Sequence, residues 1–62
     1  MYQRYAEMRD AKGMTDYRVA AETGLSRSTF TQWKHGISTP KAKNMKKIAD
    51  CLGVSVESLL FE

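Results

Sequence analysis

The chain holds one cysteine, one histidine and one proline in 62 residues. A single cysteine cannot close an internal disulfide, and a lone histidine with no neighbouring ligand cluster offers no metal site. No metal and no cofactor is therefore expected. A glycine-rich phosphate loop is also missing, and Ser26, Ser28 and His35 lack an oriented acid partner, so no catalytic residue is assigned. No apolar run approaches the roughly 20 residues that span a bilayer. The opening Tyr2-Gln3-Arg4-Tyr5 lacks the apolar segment of a signal peptide. These absences point to a reducing cytoplasm, with neither a membrane nor a small-molecule partner. Strand-like alternation, internal repeats and low-complexity stretches are absent too.

What is present suits one small helical domain covering residues 1–62. A hydrophobic content of 42% can supply a single compact core, although a chain of this size buries only about 60% of its unfolded surface and gains stability from association. The net charge of +3 is modest, but its placement is uneven. Up to Gly24, the cations Arg4, Arg9, Lys12 and Arg18 are balanced by Glu7, Asp10, Asp16 and Glu22. From Leu25 to Lys47 there are Arg27, Lys34, Lys41, Lys43, Lys46 and Lys47 with no carboxylate. By itself such a lysine cluster is more often an ordinary solvated surface.

Periodicity predicts five helices, at about Tyr2 to Lys12, Thr15 to Thr23, Ser26 to His35, Lys41 to Leu52 and Ser55 to Phe61. Gly24 suits the left-handed turn that ends a helix, and Ser26 is placed to cap the next one. Met45, Ile48, Ala49 and Leu52 form an inward stripe on the fourth helix, whose start is marked by Thr39-Pro40. Gly53 closes that helix and Ser55 is placed to cap the fifth. At roughly 100° per residue, Arg27, Ser28, Thr31, Gln32 and His35 fall on one face of the third helix. Phe30, Trp33 and Ile37 fall on the other. Cys51, beside Leu52, is expected to be a small buried hydrophobe.

Two short helices joined by a tight turn, the second carrying a polar face that is uncharged to basic, are suited to DNA. The joint spacing of Ala20, Gly24 and the inward Val19, Leu25, Phe30 and Trp33 resembles the helix-turn-helix of the phage repressor and Cro family, also called the XRE family. Arg9, Gly13-Met14-Thr15, Gly36, Pro40, Leu52-Gly53-Val54-Ser55 and Leu59-Leu60 extend that resemblance over nearly the whole chain. It implies an all-α, five-helix, lambda-repressor-like fold, with helices 2 and 3 forming the motif. It also implies a bacterial or phage-encoded transcriptional regulator, most simply a repressor, that binds double-stranded operator DNA with helix 3 in the major groove. The same fold serves in antitoxins and protein-interaction adaptors, which is the alternative reading.

The resemblance places base reading on Arg27, Ser28 and Gln32, with Thr31 beside them. An arginine can take both acceptors of a guanine, and a glutamine can pair with an adenine edge. Thr15, Tyr17, Lys34, Lys41 and Lys43 are assigned to phosphates, Thr15 by capping helix 2 and aiming its N–H groups outward. Leu59, Leu60 and Phe61 are expected to fill part of the core and part of a homodimer contact, presenting two recognition helices to half-sites about 34 Å apart. The alternative is that the chain is the N-terminal DNA-binding piece of a longer repressor whose assembly region is missing.

Three positions depart from the family pattern. Thr23 stands where an aliphatic residue is usual. Asp16 stands where a glutamine commonly touches phosphate, and a carboxylate there repels the DNA backbone unless it is used locally. Lys34 stands where relatives often carry a carboxylate that pairs with the first-helix arginine, so Arg9 needs a different partner or a phosphate.

Overall fold

In the computed structural model, which describes residues 2–60, five helices surround one apolar centre. They are α1 Tyr2–Ala11, α2 Asp16–Thr23, α3 Arg27–Lys34, α4 Ala42–Leu52 and α5 Val56–Leu60. No strand and no helix long and apolar enough to cross a membrane occurs among the described residues. The α2–α3 pair packs through α2 onto α4 and through α3 onto α1, while α5 closes the far side against α1 and α4.

Each helix begins and ends for a local reason. Thr15 caps α2 by accepting from the Arg18 backbone N–H, and Ser55 accepts from the Ser58 N–H at the start of α5. At the end of α2, Gly24 adopts φ 77° and returns its N–H to the Ala20 carbonyl. A residue with a Cβ is strained there, so the chain can turn sharply into α3 only with glycine at this point. The first two turns of α4 start one residue later than the pattern of Thr39-Pro40 suggested: Lys41 occupies the cap position and Pro40 precedes it.

Two expectations for α3 are corrected. Ser26 makes no side-chain cap to the backbone; its hydroxyl lies 3.0 Å from that of Ser28 and 3.2 Å from that of Thr29, and these neighbouring hydroxyls compete for it. Ile37 is not part of the apolar stripe and is 72% exposed. The helix stops at Lys34, and Gly36, at φ 71°, reverses the chain so that Gly36 N–H bonds the Trp33 carbonyl and Ile37 N–H bonds that of Gln32. This double closure ends the helical register, which is why extrapolating it to Ile37 fails.

The centre of the fold is aromatic. Tyr5 is fully buried between Phe30 and Trp33, at ring-centroid distances of 5.6 and 4.9 Å. Tyr2 meets Trp33 edge-on at 5.6 Å. Val19, Met45, Ile48, Ala49, Leu52 and Leu59 complete the core, so the expected stripe on α4 is the one observed. A fully buried aromatic or aliphatic side chain contributes about 1.5–3 kcal/mol, and α3 commits Phe30 and Trp33 to this centre. The Trp33 indole N–H lies buried without a hydrogen-bond partner among the described residues, a cost of about 1–3 kcal/mol that its packing must exceed.

A polar cluster seals the edge of the aromatic centre and supplies the missing partner of Arg9. The Asp16 carboxylate accepts from the Arg9 guanidinium at 2.8 Å, from the Tyr5 hydroxyl at 2.7 Å and from the Tyr2 hydroxyl at 2.8 Å. Arg9 also donates to Tyr2 and to Asp10. Burial alone would raise the Asp16 pKa, but the hydrogen bonds from Tyr5, Arg9 and Tyr2, with the charge of Arg9, outweigh it and hold the carboxyl below its ordinary value. Both tyrosines are pushed up, by burial first and by Asp16 second, so they remain neutral donors.

Folding lowers the Asp16 pKa, so its contribution is fully present above the unfolded value of about 3.9 and is lost as pH falls below that through the folded value. Asp16→Asn is expected to cost about 1–3 kcal/mol at neutral pH and to flatten the acid side of the stability curve. Thermal unfolding followed from pH 2 to 7 checks this; a variant with the wild-type acid dependence would show that the cluster carries no such energy.

Candidate nucleic-acid interface

The buried side of α3 decides what its other side presents. With Phe30 and Trp33 locked against Tyr5, residues Arg27, Ser28, Thr31 and Gln32 are all exposed on the outward surface. Thr29 is half-buried at the border, and Lys34 is exposed. All four side chains predicted to read bases thus stand together on one face, uncovered by other described parts of the protein.

Each of the four meets a neighbour, Ser28 through the Ser26 hydroxyl described above. The Arg27 guanidinium carbon lies 5.3 Å from the centroid of the Tyr17 ring on α2. The Gln32 side-chain carbonyl accepts from the Ser38 hydroxyl at 3.0 Å, a contact produced by the chain reversal at Gly36. The Thr31 hydroxyl donates to the Arg27 carbonyl one turn back, at 3.3 Å, leaving its oxygen lone pairs and methyl for outward contact. Reasoning from periodicity missed Ser38 because a loop residue has no helical phase. A short hydroxyl residue two positions after a glycine-closed helix end was the available hint.

The residues predicted to touch phosphate form two groups. Thr15 and Lys34 line one open cleft with Tyr2, Arg9 and Asp16. Lys41 and Lys43 stand exposed at the start of α4. Tyr17, 65% exposed, lies apart from both and lines a second shallow recess with Arg27, Ala20 and Leu25. The carboxylate feared as a repulsive element, Asp16, is partly buried at the edge of the first cleft and is paired with Arg9 at 2.8 Å. Farther round, Lys46 pairs with Asp50 at 3.7 Å, consistent with a solvated surface pair that contributes little.

The remaining sequence candidates sort by burial. Leu59 is fully buried and belongs to the core, Leu60 is 41% exposed, and Phe61 lies outside the described residues. Cys51 is half-buried rather than buried. Its thiol lies 3.7 Å from Glu22, and burial together with that carboxylate raises its pKa, so it stays a protonated thiol. The unusual Thr23 turns its hydroxyl back onto the Val19 carbonyl at 2.8 Å, which lets a polar residue occupy a partly buried position.

Five helices with an exposed polar face on the third and a tight glycine turn before it define a helix-turn-helix domain. The chain belongs to the helix-turn-helix family HTH_3, which matches residues 6–59. It is 33% identical over 57 residues to the cryptic phage CTXphi transcriptional repressor RstR of Vibrio cholerae, covering 92% of this chain and 51% of that protein. It is 31% identical over 58 residues to the SPbeta prophage-derived uncharacterized HTH-type transcriptional regulator YonR of Bacillus subtilis, covering 94% of this chain and 54% of that one. An uncharacterized HTH-type transcriptional regulator of Haemophilus influenzae is 45% identical over 40 residues, 64% of this chain and 17% of that protein. The chain thus spans about half, or less, of the length of these relatives. No solved structure matches it significantly.

The Thr15 cap generates a local test. Thr15→Ala is expected to cost about 1 kcal/mol in urea unfolding, with Thr15→Ser restoring most of it. Equal stability of the alanine variant would contradict the cap.

Proposed function

We propose that the protein binds double-stranded DNA sequence-specifically as a bacterial or phage transcriptional regulator, acting in the cytoplasm as a repressor. The observation that carries this reading is the sorting of α3: Phe30 and Trp33 are buried, while Arg27, Ser28, Thr31 and Gln32 are exposed as one row. A major groove admits a helix presenting such a row. Family membership, and a relative named as a phage repressor, support the same assignment.

In this reading Arg27, at the first turn of α3, takes the two acceptors of a guanine. Gln32, one turn later, reads an adenine edge, and the Ser38 hydroxyl holds its amide in one orientation for that task. Ser28 and Thr31 reach neighbouring bases or thymine methyl groups. Lys41 and Lys43 contact phosphates ahead of α4. Lys34 and the N-terminus of α2 capped by Thr15 contact phosphate on the opposite side, with the Tyr17 hydroxyl as a further donor. Phosphate contacts set position and orientation, whereas base contacts discriminate sequence. Binding as a homodimer, with Leu60 and Phe61 in the contact, would place two copies of α3 on half-sites about 34 Å apart.

Selection of bound sequences from a random duplex pool, repeated with variants, tests this. Arg27→Ala is expected to lose about 1–3 kcal/mol and to relax preference at one base position, Gln32→Ala to relax it at another. Lys43→Ala should weaken all sequences alike and reduce the salt dependence by about one charge. Failure to enrich any sequence, with affinity set by salt alone, would overturn the regulator reading and favour an adaptor or antitoxin.

A further inference from the structure

The contact between Arg27 and Tyr17 links the exposed face of α3 to α2. Arg27 is exposed and, unlike Arg18, which is engaged by Glu22, it has no carboxylate partner among the described residues. Its contact is the Tyr17 ring, 5.3 Å from the guanidinium carbon to the centroid. An aromatic face attracts a cation without using any of its N–H groups, so all five donors of the guanidinium stay available. An ion pair would have done the reverse, consuming the same forked edge that recognises a guanine. Tyr17 is itself largely exposed and is supported on α2 by a helix whose start and end are both fixed, at Thr15 and Gly24.

We propose that Tyr17 is a specificity-determining positioning residue: its ring holds the Arg27 side chain in the orientation that meets a base. The proposal rests on the base-reading role of Arg27 given above. Without the ring, a long arginine side chain loses its rotamer freedom only when it docks, and that loss opposes binding. With it, part of that ordering exists before DNA arrives. The ring and the hydroxyl of Tyr17 then have separable tasks, the ring acting on discrimination at one base pair and the hydroxyl on affinity for the backbone.

Tyr17→Phe and Tyr17→Leu separate them, and because Tyr17 is 65% exposed neither substitution removes a core contact. In the free protein, the Arg27 side-chain protons should show upfield shifts from the ring current in the wild type and in Tyr17→Phe, lost in Tyr17→Leu. On DNA, affinities are measured for the selected duplex and for one altered at the base pair that Arg27→Ala identifies. Tyr17→Leu should reduce the preference between the two duplexes by about 2- to 5-fold. Tyr17→Phe should keep that preference while weakening both duplexes equally. If Arg27→Ala relaxes a base preference but Tyr17→Leu leaves it at the wild-type value, the positioning role is wrong and the regulator reading stands. If Arg27→Ala relaxes no preference, the base-reading role and this inference fail together.

Discussion

Tyr5 sets the orientation of everything that faces outward. Its ring is held between Phe30 and Trp33 of α3, and its hydroxyl is anchored on Asp16 at the start of α2. One side chain of α1 therefore fixes both helices of the motif, with an apolar body in the core and a polar tip at its edge. A short helix such as α3 has little stability of its own, and its rotation about its axis is set by which side chains it buries. Turning it by one residue would exchange Phe30 for Thr31 against Tyr5 and withdraw the exposed row. The interface is a consequence of core packing before it is a matter of charge.

The two charged departures from the family pattern meet at Arg9, which pairs with Asp16. Lys34 removes the carboxylate that would pair with Arg9, and Asp16 restores one from α2. Arg9 thus keeps a partly buried anionic partner, while the end of α3 gains a free positive charge beside the proposed groove. The Asp16 carboxylate is partly buried and hydrogen-bonded three ways, one of them charge-assisted from Arg9, which reduces the repulsion an exposed anion would exert on a phosphate.

Much of the architecture was legible in the residues themselves. The inward stripe on α4, the glycine-ended helices and the burial of Val19, Ala20, Phe30 and Trp33 follow from periodicity and backbone chemistry, and the structure has them. What escaped was everything that depends on contacts without a period. Nothing in the spacing of Tyr2, Tyr5, Arg9 and Asp16 says that they converge, because they lie on two helices whose crossing is set by the core. Ser26 looked like a cap, yet its hydroxyl has two competing hydroxyl neighbours. Ile37 shared the phase of the apolar stripe, but the reversal at Gly36 came first. Of the candidate interface, the membership of the exposed row was readable, whereas the orienting roles of Tyr17 and Ser38 required coordinates.

The central claim is that the face of the fold bearing Arg27, Ser28, Thr31 and Gln32 is the one that meets DNA. Titrating isotopically labelled protein with a selected duplex and following backbone amide shifts tests it most directly. The account predicts large changes from Thr15 to Arg18, from Arg27 to Gln32 and around Lys41 to Lys43, with the C-terminal half of α4 little affected. Changes concentrated instead around Glu22, Asp50 and Cys51, with α3 undisturbed, would contradict it.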